Sequence, residues 1–183
     1  MLLHKDQAAL LAIDIQEKLL PAIMDSESMH KRVQWLVGVA RDFGMPIAFS
    51  EQYPRGLGRT MEALLALAPN ALVVEKLHFS CFAAHCLPEN LLTKKQLVLC
   101  GMETHICVLQ TALDLLAAGK QVFVVADACG SRTNLDHQLG IERMRQAGAI
   151  IVSKEMVLFE LMEQAGTEHF KTMSKRYLQG DQP

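Results

Sequence analysis

One cysteine in the sequence occupies a position where a thiol can act as a nucleophile. The apolar run Gln96–Cys100 predicts a strand that ends at Gly101. Apolar residues then recur at helical spacing from Thr104 to Gly119, which predicts a helix with Cys107 in its first turn. Free backbone N–H groups and the helix dipole favour an anion there. The position therefore predicts an easily ionised thiol, although a buried and inert cysteine is the commoner outcome.

Two charged residues accompany other predicted strands. Asp14 lies near the end of the apolar run Ala8–Ile15. Lys76 lies just past the run Ala71–Val74. A buried aspartate at such a position can act as a general base, and a lysine beside it can lower the pKa of a neighbouring thiol. Alternatively, Asp14 forms a turn or cap and Lys76 is an ordinary solvated residue.

Strands and helices alternate along the chain. Apolar runs predict six strands, at Ala8–Ile15, Pro46–Ser50, Ala71–Val74, Gln96–Cys100, Gln121–Ala126 and Ala149–Val152. Helical spacing predicts helices at Ser28–Phe43, Met61–Leu67, Thr104–Gly119 and Asn134–Ala147, and two helical pieces in the tail from Glu155. In the helix at Asn134–Ala147 the residues expected to face inward are Leu135, Leu139, Ile141 and Met144. This alternation predicts an α/β fold with a six-stranded parallel sheet and helices on both faces.

Such a sheet brings the three candidate catalytic residues together. The carboxyl ends of parallel strands share one edge, so Asp14, Lys76 and Cys107 follow the first, third and fourth strands at the same edge. In the order 3-2-1-4-5-6 the first and fourth strands are neighbours, and Asp14 and Cys107 then approach each other directly. A carboxylate, a cation and a thiol in one place predict an activated nucleophile.

The composition limits the classes of partner. A formal net charge of −2 and an aromatic content of 5% provide neither a broad basic field nor stacking platforms, which disfavours nucleic acid and anionic membranes as partners. No apolar stretch reaches the roughly 18 residues of a membrane-spanning helix. The N-terminal apolar run contains Asp14 and lacks a cleavage site, so we expect a buried strand and not a signal peptide. Five cysteines without framework-like spacing favour a cytoplasmic protein.

The length and apolar content predict one domain that associates with itself. A chain of 183 residues corresponds to a single domain, taken here as residues 1–183. Hydrophobic residues make up 50% of the chain, above the usual level for a soluble domain. A homo-oligomer, dimeric or higher, would bury the surplus, and a large core is the alternative explanation.

The segment after the third strand contains side chains that metals favour, namely His78, Cys81, His85 and Cys86. Zinc sites usually present closely spaced CxxC or HxxxH pairs with a second pair elsewhere, and this segment lacks that pattern. The sequence therefore predicts no metal site.

Taken together, these residues resemble a known family. Four stretches carry the resemblance, in order and spacing: AIDIQ with Asp14, EKLHFSCF with Lys76, GMETHICVLQTALDLLAAG with Cys107, and VFVVADACGSR. Over nearly its whole length the chain resembles the isochorismatase-like cysteine hydrolases. The SEQYPRGLG and ADACGSR stretches look most like the metal-free branch that includes the mammalian isochorismatase-domain proteins and similar bacterial hydrolases.

The resemblance implies an Asp–Lys–Cys triad on a Rossmann-like three-layer sandwich. Asp14 would take the thiol proton, Lys76 would support the charges, and Cys107 would attack a carbonyl to give a thioester that water cleaves. The resemblance also implies a cis peptide bond at Met102–Glu103 and an oxyanion hole made by the backbone N–H groups of Glu103 and Cys107.

Two departures from better-known members narrow the implied activity. Nicotinamidases of this family bind a metal through an aspartate and histidines after the second strand, whereas EQYPRGLGR at that place contains neither residue type. True isochorismatases cleave an enol ether without a cysteine nucleophile, and here Cys107 is present. The resemblance therefore implies hydrolysis of a small amide or related acyl compound, without a metal or other cofactor.

The residues that lie beside the triad in sequence are candidate substrate contacts: Gln16, Tyr53, Phe79, Ser80 and Phe82. For the aromatic residues, core packing explains their presence at least as well.

Two other functions stay open at this point. The fold could bind a protein partner and retain the triad as a remnant, or Cys107 could sense oxidants with Cys129 or Cys81 as the resolving thiol.

Overall fold

Six parallel strands form one sheet at the centre of the protein. A computed structural model describes residues 1–179. The strands are β1 Ala8–Ile13, β2 Ile47–Gln52, β3 Leu72–Lys76, β4 Gln96–Met102, β5 Gln121–Gly130 and β6 Ile150–Val152. Their order is β3-β2-β1-β4-β5-β6, which confirms the predicted order. The connections change direction between β1 and β4, so a crevice opens at the carboxyl ends of these two strands. The predicted end of the domain, at residue 183, lies outside the described residues.

Helices cover both faces of the sheet, as the alternation predicts. The helices are α1 Ser26–Asp42, α2 Pro54–Leu57, α3 Glu62–Leu67, α4 Glu89–Leu92, α5 Leu109–Ala117, α6 Asn134–Gln146, α7 Lys154–Met162 and α8 Glu168–Tyr177. Because side chains alternate along a strand, Leu10 of β1 packs with α1, α3, α7 and α8, while Leu11 packs with α4, α5 and α6. β1 is therefore buried on both faces, which explains its continuous apolar sequence.

Five strand ends differ from the predictions at the edge that carries the site, and two of them, in β2 and β3, continue by two residues to Gln52 and Lys76. β1 ends at Ile13 and not at residue 15, because Asp14 adopts a left-handed φ of 53°. β4 continues through Gly101 to Met102 and stays paired with β5, although its register with β5 shifts between Leu99 and Gly101. β5 extends to Gly130 and not to residue 126. The remaining element ends differ by one or two residues, which is the ordinary uncertainty of such boundaries.

Two local predictions about helices are wrong. The first turn of the helix that carries Cys107 is a π-helical turn, Thr104–Val108, and the α-helix begins only at Leu109. Leu135 and Leu139 do not face inward, since they are 64% and 53% exposed. The buried residues of α6 are Gly140, Ile141 and Met144. The side of the helix that faces the core therefore differs from the predicted one, because Gly140 makes the close approach to the π-helical turn.

The two helical pieces expected in the tail are α7 and α8. Both pack on the same face of the sheet as α1, and Tyr177 of α8 meets Trp35 of α1 edge to face with a ring separation of 5.3 Å. Among residues 1–179, no helix combines the length and the apolar character needed to cross a membrane.

Gly101 allows β4 to approach β1 directly beneath the site. Its φ of 117° is unfavourable for any residue with a side chain, and a Cβ atom there would collide with the Ile13 carbonyl oxygen. Gly148 has a similar φ of 104° but has no heavy atom within 4 Å of its Cβ position. Substitutions at these two glycines therefore distinguish the free-energy cost of backbone strain from that of the collision.

We expect Gly101→Ala to reduce the free energy of unfolding by more than about 4 kcal/mol, because strain and collision combine. Gly148→Ala should cost only about 1–2 kcal/mol, since strain acts alone. Urea unfolding followed by circular dichroism measures both. Equal losses would show that Ile13 moves aside at little cost.

Candidate active site

A fully buried ion pair lies at the carboxyl edge of the sheet. The Lys76 Nζ lies 2.7 Å from the Asp14 Oδ2, and both side chains are 0% exposed. Asp14 follows β1 immediately and Lys76 is the last residue of β3, so their side chains meet across the end of β2. Removing two charges from water is costly, and the pair is tolerated only when its remaining hydrogen-bonding groups are satisfied.

β2 supplies the groups that satisfy this ion pair. The Ser50 hydroxyl donates to the second carboxylate oxygen of Asp14 at 2.6 Å. Lys76 donates also to the side-chain oxygen of Gln52, again at 2.7 Å. The same oxygen lies 4.0 Å from the Cys107 Sγ, so Gln52 connects the lysine with the thiol. Three neighbouring strands therefore contribute to one polar network.

Sequence reasoning missed Ser50 and Gln52. Both stand at the carboxyl end of β2, the edge that the parallel sheet assigns to the site, and this position was the available signal. An uncharged serine or glutamine at a strand end is common, so its residue type alone gives no reason to single it out. The polar contact becomes visible only when the side chains are placed.

Cys107 lies beside the ion pair, as predicted, but its predicted acidity is wrong. The residue is 6% exposed. Burial raises the pKa of the Cys107 thiol to about 12; the Asp14 carboxylate contributes to this rise, and the Lys76 ammonium opposes it. The Cys107 thiol is thus neutral at rest, because desolvation and a nearby negative charge outweigh the lysine and the helix start.

The charge of Lys76 is maintained by its neighbours. Burial is the strongest influence and lowers the pKa of the ammonium, but the Asp14 carboxylate together with Cys81 and Cys107 outweighs it, and the net pKa is raised. Lys76 therefore stays protonated at neutral pH. It provides a fixed positive charge within reach of both the carboxylate and the thiol.

The segment that precedes Cys107 is held by the loop between β5 and α6. The Met102–Glu103 peptide bond is cis. The Glu103 carboxylate pairs with Arg132 at 2.8 Å, while its other oxygen is buried and has no hydrogen-bond partner within residues 1–179. Next to it, the Thr104 hydroxyl lies 3.0 Å from the His137 Nδ1. These contacts fix the position of the backbone from which Cys107 projects; the oxyanion hole formed by Glu103 and Cys107 stays a prediction.

The candidate substrate residues fall into different environments. The Gln16 side chain is buried and holds a loop, since its amide nitrogen donates to the carbonyls of Gln52 and Gly58 and its oxygen accepts from the Gln52 N–H. Ser80 is buried too, and its hydroxyl accepts from the Ala83 N–H at 3.1 Å. Phe82 is half-buried and packs against the core that contains Cys107. Substrate contact by these three residues stays a prediction.

Tyr53 and Phe79 are about half exposed. A cavity of about 520 Å³ opens beside Tyr53, and its lining residues are Tyr53, Pro54, Arg55, Glu75, Lys76, Leu77, His78 and Ala84. Of Asp14, Lys76 and Cys107, Lys76 is thus the residue that borders this cavity. Substrate contact by Tyr53 and Phe79 also stays a prediction. Across residues 1–179, no three His, Cys, Asp or Glu side chains converge in a way that could hold a metal ion.

Comparisons with known proteins identify the family of this chain. A family model described as the isochorismatase domain matches residues 8–156. The chain belongs to the isochorismatase family. Isochorismatase domain-containing protein 2A of Mus musculus is 37% identical over 174 residues, which cover 93% of this chain and 82% of that relative.

Solved structures of the isochorismatase fold agree with this assignment. MAR1 ribonuclease from Caenorhabditis elegans superposes with a TM-score of 0.91 at 33% identity, covering 100% of this chain and 95% of the other. The YcaC gene product of Escherichia coli superposes with a TM-score of 0.86 at 26% identity, covering 98% and 92%. It is described as an octameric hydrolase of unknown specificity. The family is thus established and its members are generally hydrolases, while the substrate of this chain is a separate question.

The charge of Asp14 can be tested through the reactivity of Cys107. Asp14→Asn removes a negative charge that raises the pKa of the thiol, so that pKa falls. Each unit of that fall raises the thiolate fraction, and hence the iodoacetamide rate at about pH 8, about tenfold. Peptide mass spectrometry measures the rate at Cys107. In the unmodified protein the rate should still be rising above about pH 10.

Ser50→Ala is the control for this variant, because it removes a neutral partner of Asp14 and leaves the charge in place. Its effect on the alkylation rate should be smaller. Slower alkylation in Asp14→Asn than in the unmodified protein would contradict the electrostatic account.

The buried carboxylate of Glu103 makes Arg132 a structural residue. Arg132→Ala removes the cation that pairs with this carboxylate, and we expect a loss of about 1–3 kcal/mol in the free energy of unfolding. Arg143→Ala, at an exposed position of α6, is the matched control and should stay within about 0.5 kcal/mol of the unmodified protein. Urea titration measures both variants, and indistinguishable midpoints would show that Arg132 contributes nothing to holding Glu103.

Proposed function

We propose that the chain is a cysteine hydrolase that cleaves a small amide, or a related acyl compound, through a thioester on Cys107. The observation that carries this proposal is the fully buried Asp14–Lys76 pair, 2.7 Å apart, beside a buried thiol. An ion pair without solvent access contributes little to stability relative to apolar packing, and such groups concentrate where proton transfer is needed.

The high thiol pKa assigns the first step to Asp14. In a neutral resting site, attack requires that the thiol proton leaves as the sulfur–carbon bond forms. The Asp14 carboxylate is placed to take that proton, and the fixed charge of Lys76 stabilises the sulfur as it becomes negative. The carbonyl π electrons move to its oxygen, and a tetrahedral oxyanion results.

The intermediate then collapses and is hydrolysed. The backbone N–H groups of Glu103 and Cys107 would donate to the oxyanion. The oxyanion reforms the carbonyl, the carbon–nitrogen bond breaks, and the leaving amine takes the proton from Asp14. Asp14 next removes a proton from water, which attacks the thioester; the carbon–sulfur bond breaks and the sulfur regains the proton. All proton transfers use side chains of this chain, so the scheme requires no cofactor.

The surroundings of the site favour a small substrate. Cys107 is almost completely covered, and the cavity that borders Lys76 has a volume of about 520 Å³. Such a volume corresponds to one small organic molecule. Tyr53, Phe79 and Phe82 would contact the acyl group, and a small-molecule substrate is proposed as the partner of the site.

We further propose that the protein is a homo-oligomer, dimeric or higher. The octameric state named for the E. coli hydrolase supports this, together with exposed leucines such as Leu77, Leu135 and Leu139. A cytoplasmic location is proposed on the basis of the five unpaired cysteines, which stay reduced there.

Cys107→Ala should lower turnover of any cleaved amide or ester by about a thousandfold or more, because the nucleophile is lost. Cys129→Ala, at another cysteine that is 6% exposed, is the matched control and should retain activity. The assay is a panel of small amides, esters and carbamoyl compounds followed by mass spectrometry, together with trapping of the acyl group on the peptide that contains Cys107. Full activity of Cys107→Ala on a verified substrate would contradict the thioester mechanism.

The panel should include a single-stranded RNA, because the C. elegans relative is named a ribonuclease. A net charge of −2 provides little attraction to phosphates, so we expect no cleavage that depends on Cys107. Failure of the whole panel, with capture of one specific protein partner, would favour the alternative of a silent fold that acts as a binding module.

A further inference from the structure

Two thiols outside the triad lie side by side in the segment that follows Lys76. Cys81 and Cys86 stand at the two ends of a turn between β3 and α4, and the Cys86 Sγ lies 3.4 Å from the Cys81 carbonyl oxygen. His85 reverses the chain within this turn with a left-handed φ of 52°. The two thiols are also close enough for each to shift the pKa of the other. The hydrolytic scheme uses neither of them.

The two cysteines have complementary environments. Cys86 is half-buried, and the Cys81 thiol and the Lys76 ammonium lower its pKa, although burial acts in the opposite direction. Cys81 is completely buried; contact with Cys86 and burial raise its pKa well above the ordinary value. Cys86 is therefore the accessible thiol that ionises first, and Cys81 is the protonated neighbour.

The other cysteines are poorly placed for the same chemistry. Burial raises the pKa values of Cys107 and Cys129 to about 12, and both residues are 6% exposed. Cys100 is completely buried in the core. The thiolate is the form of a cysteine that reacts with oxidants. Exposure and ease of ionisation therefore favour the Cys81 and Cys86 pair over Cys107 as the site of oxidation.

We propose that Cys81 and Cys86 form a reversible disulfide when the protein meets a hydroperoxide. The Cys86 thiolate attacks a peroxide oxygen, the O–O bond breaks, and water leaves after protonation, so that Cys86 becomes a sulfenic acid. The Cys81 sulfur then attacks the Cys86 sulfur, the S–O bond breaks, and hydroxide leaves as water with the Cys81 proton. Two thiols are oxidised and one peroxide is reduced; a thiol reductant restores both cysteines.

The disulfide would act close to the hydrolytic site. Cys81 lies beside Ser50, whose hydroxyl holds the Asp14 carboxylate. The turn also follows Leu77 and His78 and includes Ala84, three residues that line the 520 Å³ cavity. A bond between the two sulfurs would therefore restrain the segment that lines one wall of that cavity.

Tryptic digestion isolates this pair for measurement. Cleavage after Lys76 and Lys94 gives a peptide, residues 77–94, that contains Cys81 and Cys86 alone, while Cys100 and Cys107 share the peptide 96–120. The folded protein is treated with one equivalent of hydrogen peroxide, unfolded in the presence of iodoacetamide, and digested. We expect peptide 77–94 to lose two hydrogen atoms and to take no label, and dithiothreitol to reverse this. Peptide 96–120 should keep both labels.

Two controls separate folded geometry from simple thiol chemistry. Cys86→Ser should abolish the change in peptide 77–94, and Cys129→Ser should leave it intact. Should Cys86→Ser fail to fold, the unmodified protein in urea provides the comparison, and the cross-link should form about tenfold or more slowly there because the turn is lost. Oxidation of Cys107 ahead of peptide 77–94, a cross-link between the two peptides, or equal rates in urea would each overturn the proposal. None of these readouts uses hydrolytic activity.

Discussion

The burial of the Asp14–Lys76 ion pair is the constraint on which the rest of the site depends. Two unit charges without solvent are stable only when every remaining donor and acceptor has a partner. Here Ser50 satisfies the carboxylate and Gln52 the ammonium. The ends of β1, β2 and β3 are consequently fixed relative to one another, and the position of Cys107 is defined against a rigid charge distribution.

The same burial keeps the Cys107 thiol neutral at rest. A thiol with a pKa of about 12 reacts slowly with adventitious electrophiles at neutral pH. In the proposed mechanism a bound carbonyl would change this balance, because transfer of the thiol proton to Asp14 would accompany bond formation and no free thiolate would be required. The proposed arrangement would therefore keep the resting Cys107 thiol unreactive and restrict its reaction to a bound carbonyl compound. Cys86, in the turn between β3 and α4, differs from Cys107 because it is more exposed and its pKa is lowered.

Backbone packing determines how Cys107 reaches the ion pair. Gly101 lets β4 lie against Ile13, and the π-helical turn that follows carries Cys107 beside Asp14 and Lys76. Arg132 of the loop between β5 and α6 and His137 of α6 hold this segment. The thiol is therefore positioned by contacts from β1, from this loop and from α6, and not by its own helix alone.

The sequence by itself determined a parallel α/β sheet and the edge at which Asp14, Lys76 and Cys107 lie, because continuous apolar runs that alternate with helices permit few other arrangements. The strand order was predicted as a common one for such a sheet, and the structure confirms it. It also identified the family, through motifs that keep their order. Only the tertiary structure decided the protonation state of Cys107, the roles of Ser50 and Gln52, the exposure of Leu135 and Leu139, and the contact between Cys81 and Cys86. These properties depend on desolvation and on distances between side chains far apart in the chain, and periodicity along a sequence contains no information about either.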